Sequence, residues 1–120
     1  MLEVTPIVNN GRAEIQLRNG GKSAIAINIL IWPEGRQRPA IRQLLSDQLH
    51  LSPNMTKSVD ITVAVLAMTG AHAGENVAVW MVFEVDPDCQ RFPVRYELNI
   101  SQGRVTRFVE QYPLSRLDIY

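Results

Sequence analysis

Cysteine is nearly missing from this chain: Cys89 is the only one, so no disulfide can form within it. Imidazole is almost as scarce. His50, His72 and Cys89 are the only nitrogen or thiol ligands of the soft kind, and no two of them lie within ten residues of each other. A metal site needs several such groups, usually with a close pair such as C-x2-C or H-x3-H. No metal and no cofactor is therefore expected. Charge of one sign is lacking too, since twelve basic and twelve acidic residues leave a formal net charge of zero. Without a long-range positive field, nucleic acid is not an expected partner. Arg36, Arg38 and Arg42 are the only basic concentration, and they read as a solvated loop. Residues 61–68 come nearest to a long apolar run, but they stop at Thr69-Gly70. Crossing a bilayer as a helix takes roughly 18 residues or more, so no membrane insertion is expected.

Catalytic motifs are missing in the same way. No serine sits in a nucleophile elbow, and Gly20-Gly21-Lys22-Ser23 lacks the upstream glycine of a phosphate loop. Carboxylates are scattered singly, with no pair placed for acid–base work. Asp86 and Asp88 near Cys89 would raise a thiol pKa rather than lower it. The chain is not expected to be an enzyme. At the N-terminus, Glu3 and Pro6 stand where a signal peptide would carry a basic start and an apolar stretch. Two settings stay open: the cytoplasm, or the periplasm for a chain already trimmed of its signal.

What is present is alternation. A chain of 120 residues with 46% hydrophobic content is read as one globular domain over residues 1–120. Asn9-Asn10-Gly11 is a turn signal, and after it Ala13, Ile15 and Leu17 alternate with Glu14, Gln16 and Arg18. Asn19-Gly20-Gly21 marks the next turn, followed by Ile25, Ile27, Ile29 and Ile31 on one face of a strand. Val59, Ile61, Val63 and Val65 take every second place in a further expected strand. Residues 77–85 are apolar on both faces, as in a central strand, and end at Asp86-Pro87-Asp88. Phe92, Val94, Tyr96, Leu98 and Ile100 alternate with Pro93, Arg95, Glu97 and Asn99. Ser101-Gln102-Gly103 either turns the chain into a last strand over residues 104–110 or bulges it. One segment departs from period two: over residues 39–51, Ile41, Leu44, Leu45 and Leu49 fall at helical spacing behind Pro39, which predicts a short helical insertion.

These features predict an all-β fold, an immunoglobulin-like β-sandwich of about seven strands with one short helix. Ile27, Ile29, Ile61, Val63, Val79, Met81 and Phe83 are its expected core. The run 92–100 has two readings. As an ordinary strand it covers the core. As an edge strand it is a template for pairing with another chain's strand, including a second copy of this one in a homodimer.

In that order of segments the chain resembles the N-terminal immunoglobulin-like domain of periplasmic pilus chaperones. The resemblance is carried by the opening strand 2–5, the Asn10-Gly11 turn, the run 13–17 ending in Asn19-Gly20-Gly21, the proline turn Ser52-Pro53-Asn54, and the aromatic strand 75–87 closing on Asp86-Pro87. It implies a non-enzymatic, chaperone-like module that pairs with a pilus-subunit-type strand in the periplasm. By that likeness Phe92, Val94, Tyr96, Leu98 and Ile100 form the partner-binding strand. Thr5 and Pro6 occupy the place of the family's first-strand arginine, and Arg104 or Arg107 stands in for its second cation. The alternative is a structural or accessory β-sandwich subunit of a larger assembly, without chaperone activity.

Overall fold

The computed structural model describes residues 1–35, 41–70, 75–87 and 90–111. Along these the chain forms β1 (Leu2–Asn9), β2 (Arg12–Asn19), β3 (Ile25–Pro33), β4 (Arg42–Gln43), β5 (Leu49–Leu51), β6 (Thr56–Asp60), α1 (Thr62–Thr69), β7 (Glu75–Asp86), β8 (Gln90–Ser101) and β9 (Arg104–Gln111). Two antiparallel sheets result. One has the order β1-β2-β6. The other runs β4-β3-β7-β8-β9, with β5 also pairing β3. The protein is thus an all-β sandwich with one short helix, and it has nine strands among the described residues where about seven were expected.

Local chemistry sets the hairpins. Asn10 and Gly11 both take positive φ, 53° and 75°, in a two-residue loop that matches the twist of its flanking strands. Gln102 and Gly103 repeat the device at 53° and 74° between β8 and β9. The expected turn at 101–103 is therefore formed, and a register shift at Asn99/Ile100 adds a bulge beside it.

The alternating isoleucines of β3 and the alternating apolar residues of β2 meet face to face between the sheets. Ile15, Leu17, Ile27, Ile29, Met81 and Phe83 are all fully buried there. β7 lies between β3 and β8, so its two-sided apolar character fits its central place.

Two sequence expectations need correction. Residues 41–51 contain no helix; they form the short β4 and β5, each paired with β3, and Leu44 N–H donates to Ile29 O at 2.8 Å. Pro39, with which the expected helix opened, lies outside the described residues. The helix instead occupies residues 62–69, where alternation had predicted a continued strand. Its N-cap residue, Ile61, offers no side-chain cap; Asp60 Oδ1 accepts from Thr62 N–H at 2.9 Å, and buried Thr62 Oγ1 accepts from Ala13 N–H at 2.8 Å, which ties the helix start to β2. Gly70, at φ 60°, closes the helix in the left-handed conformation. The buried positions become Thr62, Val65 and Met68, so Val63 points outward and is 69% exposed rather than part of the core.

Asn19 is the one fully buried residue with a carboxamide side chain among those described, and its amide is fully used. Its Nδ2 donates to Ser23 O at 2.8 Å and Leu51 O at 3.0 Å, while Oδ1 accepts from Gly21 N–H at 2.9 Å. One side chain thus ties the end of β2 to the following loop and to β5. Asn19→Ala leaves three backbone groups without that partner and is expected to destabilise the fold by about 2–3 kcal/mol in chemical unfolding.

Candidate strand-docking groove

β8 carries most of the residues singled out for partner binding, and its pairing decides what each can do. Over residues 95–101 it is bonded on both sides, to β7 and to β9. Tyr96, Leu98 and Ile100 point inward and are essentially buried, with Tyr96 packed on Phe108 at a ring separation of 5.1 Å. Over this stretch β8 is therefore an interior strand, not the edge that its alternation allowed. The reason is the two-residue turn at Gln102-Gly103, which folds β9 back along it.

The lower part of β8 differs. Among the described residues β9 runs to Gln111, opposite Arg95. Over residues 90–94, β8 pairs with β7 alone among the described residues. Among the described residues, the corner of the sandwich is open here. Leu2 and Val4 of β1 face Phe92, Val94 and Tyr96 across a groove of about 240 Å³, with Glu110 at its upper end. Phe92 is only partly buried and stacks on the fully buried Phe83 at 5.6 Å. β1 pairs only with β2 among the described residues, and it contributes Leu2 and Val4 to the groove. Pro6 sits in β1, as suits an edge strand, because its missing N–H breaks no ladder there.

The two candidate cations are separated. The Arg104 guanidinium lies against the β1–β2 turn, where a Cβ added to Gly11 would come within 2.7 Å of it. Arg107 instead lines a cleft of about 530 Å³ on the outer face, with Glu34, Asn76, Arg95 and Glu97. In that cleft Arg95 is already engaged. Its Nε and Nη2 donate to the two Glu34 oxygens at 2.6 and 2.8 Å, and Nη1 donates to Glu97 at 2.8 Å. Trp80 Nε1 also donates to Glu34, at 3.3 Å, and the Trp80 ring stacks on Trp32. The hydrogen bonds from Arg95 hold the Glu34 carboxyl below its usual range against the opposing effect of burial, and the same pairing raises the Arg95 pKa. A bidentate arginine with two carboxylates fastens the end of β3 to β8 across β7; its donors are directed at these partners rather than at a ligand. Asp60 is held low as well: partial burial opposes its ionisation, but hydrogen bonds from Arg12 and Thr62 outweigh that effect.

His50 is exposed on β5, and His72 and Cys89 lie outside the described residues, as do Arg36 and Arg38. Among the described residues no group of three or more His, Cys, Asp or Glu side chains could hold a metal ion, and no helix is long and apolar enough to cross a membrane. The sequence reading found Phe92, Val94 and Tyr96 but missed Leu2 and Val4, which only the sandwich brings opposite them. Comparison with known proteins gives no matching family model, no matching curated protein and no matching solved structure.

Proposed function

We propose that this domain is a non-enzymatic protein-binding module that takes an extended segment of a partner into the groove between β1 and residues 90–94 of β8. The observation that supports this reading is the groove lined by Leu2, Val4, Phe92 and Val94, where, among the described residues, β1 pairs only with β2 and residues 90–94 of β8 only with β7. Strand addition uses those elements: main-chain hydrogen bonds hold the peptide, and alternate side chains fill the groove. The resemblance to pilus chaperones assigns the partner to the pilus-subunit type, an immunoglobulin-like scaffold to the domain and the periplasm to its setting. The residues that would carry docking are Leu2, Val4, Phe92 and Val94, a shorter site than the whole run 92–100.

A labelled eight-residue peptide alternating valine and threonine probes this site. It is expected to bind, and Val4→Arg is expected to weaken it at least about tenfold, since losing one buried contact of this size exceeds 1.4 kcal/mol. Equal binding by wild type and Val4→Arg, with both folded, contradicts the reading.

A second reading, a structural or accessory subunit, is favoured by the enclosure of β8 over residues 95–101. That reading expects no binding of the probe peptide at the groove.

A further inference from the structure

In a hairpin closed by a two-residue loop, the residues flanking the loop form a hydrogen-bonded pair, and bonded and non-bonded pairs alternate from there. Asn9 and Arg12 flank the Asn10-Gly11 loop, so Ile7, Thr5 and Glu3 turn their backbone N–H and C=O groups toward β2. Gly20 N–H donates to Met1 O at 2.8 Å, in phase with this set. Leu2, Val4, Pro6 and Val8 therefore turn their backbone groups away from β2. Among the described residues β1 and β9 are outer strands of the two sheets, and they run close to each other. They are pinned at one end, where Val105 N–H donates to Gly11 O at 2.8 Å. At the other end Leu2 and Val4 stand across the groove from Phe92 and Val94, with Glu110 beside them. Counted in equal steps from the Gly11–Val105 bond, back along β1 and forward along β9, Val8 falls opposite Phe108 and Pro6 opposite Glu110. A ladder growing from that bond meets no donor at Pro6, which has no N–H. Only the pair at Val8 lies before the break, and β1 is paired with β2 alone among the described residues.

We infer that Pro6 is a positioning residue that holds the groove open: it stops β1 and β9 from closing into one sheet and leaves Leu2 and Val4 to a partner strand. The inference rests on the groove being a strand-docking site, as proposed above, and adds what keeps β1 from closing it. The N–H and C=O groups of Leu2 and Val4 are then the part of β1 that a partner's main chain bonds. Pro6 sets the limit of that stretch, because an added strand finds no donor there either. A proline on an outer strand also discourages unspecific pairing with other chains. With an N–H restored at position 6, closure of β1 onto β9 competes with docking. Apparent affinity for an outside strand then falls by the fraction of molecules left open.

The test compares Pro6→Val with the wild type in the full chain, using the valine–threonine peptide. The restored amide of residue 6 is expected to be protected from hydrogen exchange and to show a through-hydrogen-bond coupling to a β9 carbonyl carbon. Peptide binding is expected to weaken at least about tenfold, as when about one molecule in ten stays open. Pro6→Ala restores the same N–H with a smaller side chain; it is expected to act in the same direction and serves if Pro6→Val does not fold. An unprotected amide in both variants, with peptide binding equal to wild type, overturns the role of Pro6 and leaves the docking site standing. A protected amide with unchanged binding shows that closure and docking do not compete, which overturns the inference. Weaker binding without protection assigns the loss to the proline's own contacts and overturns it too. If the wild type itself binds no peptide, the docking reading fails. A protected, coupled amide in the variant then still upholds Pro6 as what parts β1 from β9, and an unprotected one overturns that as well.

Discussion

Leu98→Lys is expected to abolish the folded state rather than merely alter association. Leu98 is 1% exposed and stands between Val77 of β7 and Phe108 of β9. A lysine there brings a charge into the hydrophobic core and removes a leucine's packing at the same time. Together these cost on the order of 5 kcal/mol, comparable with the whole stability of a small domain. Circular dichroism and sedimentation of the purified variant check this. A folded, monomeric Leu98→Lys protein would show that β8 is an accessible edge at this position, contrary to its pairing.

Phe83→Ala carries the next largest effect. Phe83 is fully buried in the central strand, pairs in register with Ile29 and Phe92, and stacks on the Phe92 ring. Truncation leaves a cavity that neighbours on three strands can collapse into only in part, so about 3–5 kcal/mol of stability is expected to be lost in denaturant unfolding. Because Phe83 also supports Phe92 at the groove, peptide binding should fall in the same variant under conditions where it is still folded. An unchanged unfolding midpoint would contradict the burial.

The β-sheet architecture was legible because period-two alternation is strong wherever one face is dry. Ile25 to Ile31 and the run 92–100 each announce a strand, and Asn10-Gly11 announces its turn. Alternation does not say what lies beside a strand. The enclosure of Tyr96, Leu98 and Ile100 depends on β9 folding back, a pairing that the apolar pattern of β8 cannot express. Val59 does lie in β6, but Ile61, Val63 and Val65 misled for a related reason: β-branched residues in alternation favour a strand locally, yet the chain leaves the strand after Asp60, whose Oδ1 accepts from the N–H of Thr62, the first residue of the helix. Ile61 and Val65, four apart, with Gly70 behind them, carried the helical signal. The leucines of 41–51 misled in the opposite sense. Leu44, Leu45 and Leu49 rest against the core from an extended chain, and their helical spacing is coincidental. The groove was only half legible, since Leu2 and Val4 meet Phe92 and Val94 across some ninety residues of sequence.

Docking at the open corner is tested most directly by following the backbone amide resonances of the labelled full chain as the valine–threonine peptide is added. The expected result is a set of shifts confined to residues 2–5 and to the amides of 90–92 and 94, with 95–101 unmoved because both sides of β8 are already paired there. Shifts centred instead on the outer-face cleft around Glu34 and Arg107, or no shifts at saturating peptide, would contradict it.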